Sequence, residues 1–384
     1  MGQQAGSEKT GTKHILWLDG LKGLAALLIF THHFLLAFYP AIYFGAERES
    51  GTPLGWDIAL ATHPLGVFTG GNYWLCLFMV ISAYIYASRV MQLQKENYRE
   101  KLGGIILNRY PRLLLPVFVT GVLNWCLIKG LTALNLNYIN KTTELSPLGL
   151  ILHSVVIQWI TPDTLVMGPF WMLHLFLFGT FLVILLAIPD RKEYRFYPLL
   201  LLCLTYPLGC MDRYYVGYVL GVLLADLTCF RREEIGFCKA KLEAINKHLP
   251  VVAAVLLILA GLYLGGYPSY VQEPTNFYRH FGFYVHRVTE AYEVIHCVGA
   301  AMLLAGLFCL ASHPFLESRL MQWLGSLSFP IFLTHILWIE YLGYPLRDFL
   351  KPYLGAGGSA LLTWWILLCG ILHTGMLYRR LKLT

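Results

Sequence analysis

Three groups of residues have types and spacings suited to chemistry. Asp19, Lys22 and His33 fall within one apolar run near the start of the chain. Ionisable side chains at membrane depth are costly and usually serve a partner or a reaction. At 100° per residue, Lys22 and His33 lie about 20° from a shared helix face, with His33 roughly 16 Å further along the axis. Asp19, one turn before Lys22, is within reach of an ion pair with it. A neutral imidazole at that depth suits a general base that takes a proton from an acceptor hydroxyl. His32 is turned away by about 100° and cannot share the position. The plainer reading makes Asp19 and Lys22 a capping and snorkelling pair and His33 a hydrogen-bonded bundle residue.

The second group is Asn108-Arg109-Tyr110-Pro111-Arg112, with Pro116 following. Arg109 and Arg112 are three residues apart, so two guanidinium forks project from adjacent positions, suited to bidentate capture of phosphate. Arg89, Lys95, Arg99 and Lys101 nearby widen this into an anion-attracting mouth. Ordinary anchoring of a cytoplasmic helix end is the competing explanation. The third group is scattered: Ser82, Trp171, His174, Asp226, His296, Ser328 and His335 sit inside apolar blocks as pocket or bundle residues. Ser328 and His335 are seven apart and nearly share a face, and His335 lies well inside its block. No Walker loop, dinucleotide glycine fingerprint or HExxH pattern occurs, and no metal is expected.

These residues need elements that span a bilayer. Of 384 residues, 57% are hydrophobic and 13% charged, about half the charged share of a soluble domain. The apolar residues come in blocks near the ~20 needed to cross hydrocarbon. The expected fold is an all-α membrane protein, a polytopic bundle of about ten transmembrane helices forming one domain over 1–384. Spans are predicted at about 15–38, 66–88, 106–130, 167–188, 196–210, 213–228, 250–268, 291–311, 322–342 and 358–378. The stretch 147–160 is too short to cross and is expected to lie at an interface or re-enter. The first block has no small-residue cleavage site and reads as a retained span. With ten spans and both termini cytoplasmic, most of the 29 basic residues fall on the inner side, as the positive-inside rule requires. The net charge of +7 is therefore a topology signal, and nucleic acid is not an expected partner. The nine cysteines are scattered without a CxxC pair and read as packing residues.

Four stretches resemble the membrane acyltransferase-3 family. Leu18-Asp19-Gly20-Leu21-Lys22 through His33 is similar to its first helix, in which a basic residue is followed by ten positions and then histidine. Leu77-Phe78-Met79-Val80-Ile81-Ser82-Ala83-Tyr84 resembles its second-helix FFVISG-type stretch, and Arg109 to Pro116 its RxxRLxxP-type opening of the third helix. Leu324 to His335 is similar to its LGxxSYxLYLxH stretch. The resemblance implies a ten-helix enzyme that carries an acyl group, expected to be acetyl, from cytoplasmic acyl-coenzyme A to a hydroxyl of an envelope or extracellular glycan. It implies His33 as the catalytic residue, Lys22 as support on its face, and Arg109 and Arg112 as holders of the donor's phosphates. Acyl-coenzyme A, expected to be acetyl-CoA, is then a substrate, with no tightly bound cofactor, and the setting is the plasma membrane. This chain departs from the pattern where Trp171 is followed five residues on by Phe176 instead of an acid, and where Ala83 replaces a glycine. The alternative from another class is a transporter or exporter with intramembrane histidines lining its pathway.

Overall fold

The computed structural model describes residues 15–45, 55–93, 98–136, 145–187, 194, 196–269, 277–278 and 292–383. Lys95 of the basic mouth lies outside the described residues. Every regular element among them is helical, because peptide groups in hydrocarbon find no water and must close their own hydrogen bonds. The principal helices are α1 (Leu16–Phe38), α2 (Gly71–Met91), α3 (Tyr98–Ala133), α4 (Pro147–Ile160), α5 (Leu173–Leu186), α6 (Tyr197–Met211) and α7 (Tyr215–Phe230). They are followed by α8 (Arg232–Ile245), α9 (Leu249–Gly265), α10 (Tyr292–Cys309), α11 (Arg319–Trp338) and α12 (Tyr344–Arg380).

Six helical runs are long and apolar enough to cross a membrane, or seven if the bent pair α8 and α9 counts as one. Helix is present in each of the ten expected stretches, yet length and composition do not reach ten crossings. The shortfall has a physical source. Helices α6 and α7 have 15 and 16 residues, short of the ~20 that hydrocarbon requires. Helices α11 and α12 join through a π turn, Ile339–Gly343, into one continuous run. Gly355, at φ 67, interrupts α12 just ahead of the expected last span.

The segment 145–166, which contains helix α4, begins and ends at the same level of α3. The Trp125 indole donates to the Leu145 carbonyl at 2.9 Å, and the Asn124 amide donates to Val166 at 2.6 Å. Between these points the Tyr110 hydroxyl bonds to the Val155 carbonyl. The segment thus folds back to the level of α3 from which it leaves. Helix α8 meets α9 at 114°, and from Glu233 to Ile245 its side chains are exposed except for the half-buried Leu242, as for a helix lying across the end of the bundle.

Helix packing in a bilayer relies on close approach at small residues, since lipid is as apolar as leucine. Helix α1 packs most extensively on α11, α9 on α10, and α7 on α2. At the α1–α11 crossing, a Cβ on Gly23 would stand 2.5 Å from the Gly325 amide nitrogen, and one on Gly325 would stand 2.3 Å from the Asp19 carbonyl oxygen. Backbone thus meets backbone where the helix carrying His33 crosses the helix carrying His335. One apolar core surrounds α2, α5, α7 and α10, and a second lies among α1, α11 and α12.

Candidate active site

Two helices bring His33 to His335. The rings stand 5.0 Å apart between centroids, His33 on α1 half-buried and His335 on α11 fully buried. The His335 Nδ1 faces two carbonyl oxygens, Phe332 at 2.8 Å and Ile331 at 3.1 Å. Carbonyls only accept, so Nδ1 carries the hydrogen and Nε2 presents a lone pair. That Nε2 is buried and has no hydrogen-bond partner within the protein. His335 is thereby fixed in tautomer and rotamer beside a second imidazole, the arrangement in which a partner ring orients a base.

His32 is held elsewhere. Its Nδ1 donates to the Thr69 carbonyl at 2.6 Å, and its ring lies against Gly71, where a Cβ would approach the imidazole to 2.3 Å. The adjacent histidine therefore serves the junction with α2, as the 100° turn between neighbours requires.

Asp19 and Lys22 form an ion pair at 2.6 Å, with side chains about a quarter exposed. The pair sits one end of α1 away from His33 and does not touch it. Its acid lies in the first turn, where the helix dipole favours negative charge.

Arg109 is pinned by two neighbours. Its Nε donates to the Thr180 hydroxyl at 3.1 Å, its Nη1 donates to the Tyr86 hydroxyl at 2.9 Å, and its guanidinium lies 4.8 Å from the Tyr86 ring centre. Arg112, one turn on, is exposed. Tyr86 is 15 residues along α2 from Gly71, which meets His32, so the arginines and the histidines are about 22 Å apart along the bundle axis. Arg109 also lies 24 residues from the far end of α3, about 36 Å, which places it beyond a ~30 Å hydrocarbon layer when Ala133 marks the opposite side.

Trp171 and His174 are not gathered around His33. His174 Nδ1 donates to the Trp171 carbonyl at 2.5 Å, and the Trp171 ring packs 5.7 Å from Tyr214. Phe176, at the position of the missing acid, packs 6.2 Å from Phe332, whose ring is 6.1 Å from His335. An apolar wall stands there in place of a carboxylate. Ser82 is half-buried on α2 and Ser328 buried on α11, two turns before His335. Among the described residues no three His, Cys, Asp or Glu side chains converge as metal ligands would.

Several residues escaped sequence reasoning. The Tyr214 hydroxyl donates to Asn72 Oδ1 at 2.5 Å, and the Asn72 amide donates to His296 Nδ1 at 2.9 Å. His296 Nε2 in turn donates to the Tyr267 carbonyl at 2.9 Å. A lone asparagine and a tyrosine in apolar blocks give no periodic signal, and only their long-range pairing reveals them.

An acyltransferase-domain family model matches residues 15–374, nearly the whole chain. The protein belongs to the acyltransferase-3 family. It is accordingly a multi-pass membrane enzyme that transfers acyl groups. No curated protein and no solved structure matches the chain. In this acyltransferase the four motif stretches lie on α1, α2, α3 and α11, and α1 and α11 are the pair whose glycine crossing sets the two histidines face to face.

Proposed function

We propose that this acyltransferase moves an acetyl group from acetyl-coenzyme A to a hydroxyl of an envelope or extracellular glycan, with His33 as the general base. The supporting observation is the His33–His335 pair, in which one ring is locked by main-chain carbonyls and the other is half-buried beside it. In this reading the enzyme lies in the plasma membrane with both termini in the cytoplasm. Arg109, pre-oriented by Tyr86 and Thr180, and Arg112 hold the donor's phosphates at the cytoplasmic end. The donor's flexible arm carries its thioester the remaining distance towards His33. Asp19 and Lys22 are positioning residues that seat the start of α1 near its crossing with α11.

The acceptor hydroxyl gives its proton to a ring nitrogen of His33 as its oxygen attacks the thioester carbonyl. The new carbon–oxygen bond forms, the carbon–sulfur bond breaks, and the proton passes from His33 to the departing coenzyme A thiolate. The ester and free coenzyme A thiol are the products. The test is the release of thiol from acetyl-coenzyme A by purified, folded protein supplied with glycan acceptors. His33→Ala abolishes release, and undiminished release by that variant refutes the mechanism. A transporter would move the acceptor while leaving the thioester intact.

A further inference from the structure

At the end of the bundle opposite Arg109, a cavity of about 330 Å³ opens between the end of α6, the start of α7 and the start of α10. Asp212, Arg213, Tyr214 and Glu293 supply its polar lining. Its floor is rigid. Tyr214 is anchored through the Asn72–His296–Tyr267 chain, and its amide donates to Asp212 Oδ1 at 3.0 Å. The Trp171 ring packs at a tilt against the Tyr214 ring, 5.7 Å between centroids, and braces it. The cavity lies near the level of the histidine pair. The Tyr214 hydroxyl bonds to Asn72, and the preceding residue, Gly71, packs on His32, next in sequence to His33.

We infer that this cavity is the acceptor subsite, and that it takes the terminal ring of an uncharged glycan. Carboxylates accept hydrogen bonds from neighbouring hydroxyls, the guanidinium donates to ring or hydroxyl oxygens, and the aromatic ring of Tyr214 offers an apolar surface to the C–H side of a sugar. Among the described lining residues, two carboxylates stand against one guanidinium, a balance that opposes a phosphorylated or uronate terminus. The volume is at the lower end of small-molecule sites, about 300 to 1,000 Å³, so it suits one or two sugar rings and not a long segment of chain. This assignment rests on the proposed acyl transfer to a glycan, and it adds which part of the acceptor is recognised and by which residues.

The test titrates full-length protein in detergent with methyl glucoside, methyl galactoside and maltose as neutral probes, and with glucuronate and glucose 6-phosphate as anionic ones. Saturation-transfer NMR reads binding, independently of turnover. Saturable binding of at least one neutral probe is expected, with the anionic probes weaker. Glu293→Gln and Asp212→Asn, two isosteric changes, should each weaken the neutral probe about tenfold or more, since each removes a charged acceptor. Thermal melting of each variant shows that it is folded. If Asp212→Asn disturbs the loop, Glu293→Gln carries the test alone. Absence of neutral-probe binding, or undiminished binding by both folded variants, overturns the subsite. Loss of binding in the variants, with no thioester consumed by the parent protein, leaves the subsite standing and removes the acyl-transfer reading instead. Thiol release that continues with unchanged acceptor KM in both variants does the reverse.

Discussion

Gly23→Ala tests the coupling between fold and site directly. The added methyl carbon would stand 2.5 Å from the Gly325 amide nitrogen and 2.7 Å from the Leu324 carbonyl carbon, whereas ordinary contact begins at 3.4 Å. Both neighbours are backbone, so no side chain can swing aside, and α1 and α11 must separate locally by about 1 Å. Overpacking of this kind costs about 1–3 kcal/mol and lowers the thermal midpoint in detergent. The same displacement reaches the two imidazoles, whose ring centres are only 5.0 Å apart. A misplacement of about 1 Å can cost roughly a hundredfold in rate, so thiol release from acetyl-coenzyme A should fall by about that factor. Gly130→Ala is the control, because a Cβ there meets nothing within 4 Å. Removing a helix glycine at an open position should leave the midpoint unchanged or raise it by up to about 1 kcal/mol of stability. A Gly23→Ala protein with the parental midpoint and parental turnover would refute the claim that this crossing sets the site.

Two further substitutions probe the donor end and the scaffold. Arg112→Ala should raise the donor KM about fivefold, near 1 kcal/mol, and leave the acceptor KM alone; a change confined to acceptor kinetics would show that the phosphate role is misplaced. Asp226 is buried and accepts from Arg231 Nε at 2.9 Å, so Asp226→Asn should cost about 3 kcal/mol by chemical denaturation. Arg231 also pairs with Glu234, but that acid is largely exposed, and Glu234→Gln should fall within about 0.5 kcal/mol of the parent. Arg231 is held above the usual guanidinium value: burial opposes its charge, and the bonds to Asp226 and Glu234 outweigh that penalty. Equal effects of the two acidic substitutions would contradict this division.

The residues that announce themselves in the sequence are those whose chemistry conflicts with their surroundings. Asp19, Lys22 and His33 in an apolar run are legible because charge in hydrocarbon is costly, and helical arithmetic alone pairs Asp19 with Lys22 and turns His32 away from His33. The all-helical membrane class follows equally from composition, since only a bilayer absorbs so many long apolar blocks as helices. Composition could not count the crossings. A hydropathy block does not reveal that α6 and α7 stop short, or that α11 continues through a π turn into α12. Nor could spacing along one helix show which partner His33 meets, because His335 is some 300 residues away and reaches it only through the glycine crossing of α1 and α11. Tyr86 and Thr180 around Arg109, and Asn72 beside Tyr214, belong to the same class. A neutral hydroxyl or amide leaves no periodic trace, and its partner is chosen by packing between helices distant in sequence.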